Sequence, residues 1–269
     1  MKQNVSRPYA MQSSQRGFTL VEMAIVLVII GVILASVMVG RDVQRNSEYV
    51  KIRQTFINQW VVAYNTYWQR MGGPFGDNIL NRTLMVNGAN IDQTKFGGDM
   101  TDLKGLAAIC AGTAQQPKSE RTTEPKLNLR QLMLEAGVEL PAGRGLGKED
   151  RYAYLDSNGN PQEIQVCFQW NPPGTASGTG NVMVISGLTP DLAKSLAVGI
   201  KGVSNANTGS FRQQGLLSGS ETATAVDWSY TNDQSYTKDK TVQSTSATTN
   251  KNNRESQVQT VVAYYKMNQ

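Results

Sequence analysis

The chain has 269 residues, 26 basic and 21 acidic side chains, a formal net charge of +5, two cysteines and no histidine. The absence of histidine excludes a Cys/His zinc cluster and a Ser-His or Cys-His catalytic pair. The length accommodates one anchoring segment and one head domain of ordinary size.

The first segment is polar. It ends in Arg16-Gly17-Phe18-Thr19-Leu20-Val21-Glu22, directly ahead of an apolar run from Met23 to Val39. A carboxylate at the centre of a bilayer costs roughly 2.5–3.5 kcal/mol on insertion scales, and less near the edge. Glu22 therefore needs a use, and pairing with a positive charge in another subunit is the natural one. From Phe18 to Val39 a helix covers about 33 Å at roughly 1.5 Å per residue, enough for a bilayer of about 30 Å. An ordinary secretory signal has a shorter apolar core followed by a small-residue cleavage site, and no such site precedes Arg41. A plain single-span anchor accounts for the length, but not for Gly17, Phe18 and Glu22 together.

The stretch GFTLVEMAIVLVIIGVILASV, residues 17–37, resembles the class III signal of type IV pilins and type II secretion pseudopilins. The resemblance implies that residues 1–17 are a leader, cut between Gly17 and Phe18 by an aspartic prepilin peptidase that also methylates the new amino terminus. It implies that Glu22 is an assembly residue, neutralising the terminus of a neighbouring subunit. Residues 18–40 would hold the subunit in the inner membrane and then pack in the fibre core. The implied partners are other pilin subunits, the prepilin peptidase and an inner-membrane assembly platform. The implied location is a single-pass inner-membrane protein with a periplasmic head, later part of a periplasmic or extracellular filament. Lys2, Arg7 and Arg16 fit retention of the leader on the cytoplasmic side. Taking these three from the 26 basic residues leaves 23 against 21 acidic ones, a net +2. That balance does not imply nucleic-acid binding.

The helix is expected to continue beyond the membrane. Val50, Ile57, Trp60, Tyr64, Tyr67 and Met71 follow helical spacing along one face, widened by Phe56, Val61 and Trp68. Lys51, Gln54, Asn58, Asn65, Gln69 and Arg70 form the other side. Aromatic residues at this spacing read as core. Gly72-Gly73-Pro74 ends the helix. Residues 18–71 thus form a spine of about 80 Å, and residues 72–269 a head.

Residues 72–105 read as an irregular loop. Two short helices are expected next, Asp102 to Ala111 carrying Cys110, and Leu127 to Ala136 with Gly137 as C-cap. Arg151–Leu155 and Gln162–Trp170 flank an Asn158-Gly159 turn and read as a hairpin, with Tyr152, Tyr154, Ile164, Val166 and Phe168 alternating. Asn181–Ser186 reads as a third strand. Thr189-Pro190 opens a helix from Asp191 to Gly199. A turn over 207–212 leads into another strand, and Gln259–Lys266 is a final one. Residues 218–257 are rich in Ser, Thr, Asn, Lys and Gln and read as an extended polar loop, interrupted by Val226, Trp228 and Tyr230.

In an exported head, Cys110 and Cys167 read as one disulfide, closing a long loop worth on the order of 4 kcal/mol in the chain-entropy treatment. One disulfide in the head also agrees with the pilin resemblance. Asp156, Asn158 and Asn160 place oxygens at alternate positions as calcium loops do, but Gly159 comes too early and Cys167 stands where such a loop needs an acid. A simple turn is the stronger reading.

The expected fold is α+β and pilin-like, a long N-terminal helix packed on an antiparallel sheet of four to six strands. The expected function is that of a structural filament subunit, with no catalytic residue, cofactor or metal. The large head favours a minor pilin over a major one, as does Val39-Gly40 where many major pilins place a proline. A type II secretion pseudopilin is the alternative within the family. An adhesin or DNA-binding minor pilin using 218–257 is the alternative of another class, though the mixed charges there favour a solvated loop.

Overall fold

The computed structural model describes residues 17–79, 82–90, 108–110, 128–157, 159–175, 177–216, 226–228 and 260–267. The chain divides into two compact units between Arg45 and Asn46, taken here in turn.

In the first unit, Gly17 to Thr19 are non-helical and helix α1 (Leu20–Ile52) begins. Every residue from Gly17 to Gly40 is exposed. β-branched Val and Ile dominate this run, and their helix propensity is modest in water. In an apolar medium the choice is different, because each backbone N–H and C=O must be satisfied within the segment, and a helix does this. The Ser36 hydroxyl follows the same rule by donating to the Val32 carbonyl at 2.8 Å. The helix is long and apolar enough to cross a membrane.

In the second unit the end of α1 passes through a π turn, Arg53–Ile57, into α2 (Asn58–Met71). This turn corrects the expected stripe. Val50 is 41% exposed, whereas Tyr49 and Ile52 are buried. The wider turn accommodates one extra residue and shifts the phase of the buried face. The face is Tyr49, Ile52 and Phe56 before the shift, then Ile57, Trp60, Tyr64 and Tyr67 after it. Adjacent Phe56 and Ile57 are consequently both fully buried. Helix α2 stops at Gly72, whose φ of 70° is cheap only for glycine and whose N–H bonds the Trp68 carbonyl.

The loop that follows is organised by Asp77. Its carboxylate accepts from the backbone N–H groups of Asn78, Thr83 and Leu84 and from the Thr83 hydroxyl. Buried Asn181 holds the far side, accepting from Val86 N–H and donating to the Leu84 carbonyl.

The helix expected over Asp102–Ala111 is not what its described part forms. Residues 108–110 are extended, and Ile109 exchanges both backbone hydrogen bonds with Phe168 at 2.7 and 2.9 Å. The rest of that segment lies outside the described residues. Helix α3 (Leu129–Glu135) starts two residues later than expected because Asn128 caps it, in a box closed by Gln131. It ends in a Schellman motif at Gly137, where φ is 63°, with Val138 N–H reaching the Met133 carbonyl.

The sheet contains β1 (Arg151–Leu155), β2 (Pro161–Asn171), β3 (Gly180–Leu188), β4 (Phe211–Gln213) and β5 (Val261–Lys266). All pairings are antiparallel, in the order β1-β2-β3-β5-β4. Helix α4 (Pro190–Lys201) lies between β3 and β4 in sequence, with Thr189 as N-cap and Pro190 in the first turn, as the sequence implies. The long helix followed by this five-stranded antiparallel sheet is an α+β, pilin-like fold.

The second unit's core is aromatic. β2 alternates, burying Ile164, Val166, Phe168 and Trp170 on one face. Phe168 stacks on Tyr64 at 5.4 Å and packs against Trp60 at 6.1 Å and Phe75 at 4.9 Å. Such pairs contribute roughly 0.5–1.5 kcal/mol each beyond their buried area. Of the polar stretch 218–257 only 226–228 is described. There Trp228 is buried against Phe211 at 5.2 Å and donates its indole N–H to the Ser204 carbonyl.

Candidate functional site

The residues singled out by the sequence cluster where α1 begins. Gly17 and Phe18 lie outside the helix, and the Phe18 side chain is 80% exposed. A Cβ built on Gly17 would meet nothing within 4 Å. Among the described residues, nothing stands against a side chain at that position.

Thr19 and Glu22 form a reciprocal capping box. One Glu22 carboxylate oxygen, Oε2, accepts from Thr19 N–H at 2.8 Å and from the Thr19 hydroxyl at 2.9 Å. The Thr19 oxygen accepts in return from Glu22 N–H at 3.3 Å. The Thr19 carbonyl takes the first helical bond, from Met23 N–H. The box satisfies donors at a helix start that have no intrahelical partner, and it sets an acid against the positive end of the helix dipole. The Thr-x-x-Glu spacing over residues 19–22 is the sequence signature of such a box, which the expected helix start at Phe18 does not include.

Two further features fall in the head. Cys110 and Cys167 are joined by a disulfide, with Cα atoms 4.5 Å apart. Because Ile109 and Phe168 form a hydrogen-bonded pair, Cys110 and Cys167 stand opposite each other at the next, non-hydrogen-bonded position, where strands approach to about this distance. The bridge lies on the sheet face opposite Phe168, away from the aromatic core. In the hairpin turn, Asp156 accepts from Asn160 N–H at 2.8 Å, from the Asn160 side chain and from Gln162. The turn itself thus occupies the carboxylate that a cation would need. Asn158 lies outside the described residues.

The charged groups of the head are structural in arrangement. Glu163 bridges Arg144 and Arg151, the latter at 2.8 Å. Burial opposes its ionisation, but the two arginines prevail and hold the carboxyl below its ordinary value. Glu149, also partly opposed by burial, is held low by Gly147 N–H and Arg130. Lys201 donates to the Asn205 side chain and the Thr208 carbonyl, while burial and then nearby Arg212 pull it down to about 8. Among the described residues no group of three His, Cys, Asp or Glu side chains is placed to hold a metal ion.

Residues 12–38 match a family model described as the prokaryotic N-terminal methylation motif, the prepilin-type signal of type IV pilins and pseudopilins. Comparisons with curated proteins and with solved structures gave no match. A prepilin-type signal implies processing by a prepilin peptidase, anchoring in the inner membrane and assembly with other pilin-class subunits, and it belongs to structural proteins.

Proposed function

We propose that this chain, of type IV pilin or pseudopilin class by its N-terminal signal, is a minor pilin cut between Gly17 and Phe18, methylated on Phe18, and assembled into a filament. The observation that carries this reading is the match over residues 12–38, coinciding with an exposed, non-helical Gly17-Phe18 just ahead of a membrane-length helix. A peptidase needs an accessible scissile bond, and the exposed, non-helical Gly17-Phe18 supports that reading. The head from residue 72 onward faces the periplasm. The exposed apolar side chains of residues 18–40 are covered first by lipid and then by neighbouring subunits. Glu22 meets the amino group of a neighbour's Phe18, so that two charges enter the fibre core as a pair. Glu22 also favours a pilus or a non-tip position, since tip pseudopilins of type II secretion usually lack this acid.

Intact-mass measurement of membrane-extracted protein from cells with an active prepilin peptidase tests the reading. The expected chain begins at Phe18 and is heavier by one methyl group. Replacing Gly17 with tryptophan is expected to abolish cleavage while leaving the head folded. Retention of Met1 in the unsubstituted chain would sink the proposal.

A further inference from the structure

The head carries two exposed patches of opposite charge. On α4, Val198 is 50% exposed, and at about 100° per residue Gly199 and Lys201 fall on either side of it. The Arg53 side chain lies across Gly199, where an added Cβ would overlap its guanidinium. Glycine thus makes the room in which Arg53 sits, at the start of the π turn. On the other flank, Lys201 has Arg212 near it. Among the described residues, the ion pairs of the head engage Arg130, Arg144, Arg151 and Lys194, and leave Arg53, Lys201 and Arg212 without an acid. The second patch follows α3. Leu134 is also 50% exposed, and Glu135 and Glu139 beside it are exposed and in no ion pair among the described residues. Nearby Arg70 directs its Nη1 to the Ala136 and Gly137 carbonyls, so two acids face one cation and the patch stays negative. Glu135 acts on the Tyr67 hydroxyl, which places this patch beside the end of α2. Along the continuous helical run from Arg53 to Met71, the two patches are offset by about 20 Å at roughly 1.5 Å per residue.

We propose that these patches are the two halves of one contact between copies of this chain, with Val198, Arg53 and Lys201 of one copy meeting Leu134, Glu135 and Glu139 of the next. A surface and its complement at different places on one molecule make a heterologous contact, which runs head-to-tail from copy to copy and does not close on itself as a two-fold pair does. Opposite charges set the register and disfavour like-with-like pairing, while the two aliphatic side chains leave water. The contact lies wholly in the second unit and asks nothing of residues 17–40. It goes beyond the filament reading, and holds whether or not the chain is cut at Gly17.

The test uses the full chain in native membranes, as two differently tagged copies, one carrying Val198→Cys and the other Leu134→Cys. Cys110 and Cys167 are bonded to each other, so the introduced thiols are the free ones. Mild oxidation is expected to link the unlike copies at least about fivefold more than it links either variant to itself, because like patches repel. Adding Arg53→Glu to the Val198→Cys copy should lower the yield about fivefold, the scale on which a like-charge pair replaces an opposite one. Glu135→Arg with Glu139→Arg in the other copy should restore it, and high salt should weaken the parental linkage. The melting temperature of Arg53→Glu should match the parent, since Arg53 forms no ion pair among the described residues. Should it melt lower, Glu135→Arg with Glu139→Arg against an unchanged Arg53 reads the same loss from the other patch. Equal yields for like and unlike pairs, no linkage of the two copies, or linkage indifferent to Arg53→Glu would each overturn the proposal. So would a loss that the exchanged charges fail to restore, or linkage of Val198→Cys to a different protein in place of a second copy.

Discussion

The two compact units bury their apolar surface in opposite ways. From residue 46 onward the chain is self-sufficient. Phe56, Trp60, Tyr64 and Phe168 are essentially inaccessible, and the rings of Trp60 and Tyr64 both pack on Phe168. From Gly17 to Gly40 no side chain is buried at all. Among the described residues, the stretch 17–40 has the more hydrophobic sequence and the less buried structure. That contrast separates a part that folds from a part that assembles. Substitutions in one should leave the other's property untouched.

The largest effect is expected at Glu22. Removing one partner of a buried charge pair strands the other, which costs about 3–5 kcal/mol in known cases. Glu22→Val should still insert and be cleaved, because the apolar run and Gly17-Phe18 remain. Its ratio of sheared filament-bound to membrane-bound subunit should fall at least about tenfold, the factor that 1.4 kcal/mol represents. The melting temperature of the head should not move. An unchanged ratio would mean that Glu22 is not an assembly contact.

Phe168→Ala is the reverse experiment. It opens a hole among Trp60, Tyr64 and Phe75, and truncations of this kind cost about 3–5 kcal/mol. For a chain of this size each kcal/mol is worth roughly 2–4 °C, so thermal unfolding should come about 6–20 °C earlier. Cleavage at Gly17 should proceed normally. A head that melts at the parental temperature would show that the cluster does not hold the sheet on the helix.

Cys167→Ser should weaken the head by a few kcal/mol, because the bridge ties residues 57 apart. Non-reducing peptide mapping of exported protein should recover Cys110 and Cys167 on one peptide pair. Free, alkylatable thiols there would contradict the bridge. The expected loss is smaller than for Phe168→Ala, since Ile109 keeps both hydrogen bonds to Phe168 and its side chain stays in the core.

How much of this was legible in the sequence depended on the range of the interactions. The β1–β2 hairpin and the Thr189-Pro190 opening of α4 rest on neighbours within a few residues and follow the expectation, whereas α1 begins at Leu20, two residues after the expected start of the spine, because Thr19 caps it. The π turn was not legible, because an inserted residue becomes favourable only when both Phe56 and Ile57 find space in the core. Residues 102–111 look helical in isolation, rich in Leu and Ala. Pairing with Phe168, far along the chain, overrides that propensity for 108–110. Trp228 stood out in its polar surroundings but gave no hint that Phe211 and Ser204 would receive it. At the candidate site, Gly17, Phe18 and Glu22 were visible as a motif. The Thr19 cap is equally local, carried by the Thr-x-x-Glu spacing over residues 19–22.

The smallest expected effect is an acid dependence confined to the head. Glu163 lies between Arg144 and Arg151 with a side chain 28% exposed. Its folded carboxyl titrates below the ordinary value of 4.5. A depressed acid contributes stability that is fully present above the unfolded value and is lost as pH falls through the folded one. Glu149, also depressed, acts in the same direction. The melting temperature of the full chain in detergent should therefore stay flat from neutrality down to about pH 5 and decline below about 4.5. Glu163→Gln removes one of these two depressed acids of the head, so its curve should start lower and fall less steeply. Solvent screens a partly exposed pair, so the difference should be modest and should shrink further in high salt. Filament-related properties of residues 17–40 should not respond to this substitution at all. Parallel acid curves for the two proteins would mean that the Arg144–Glu163–Arg151 bridge does not stabilise the fold.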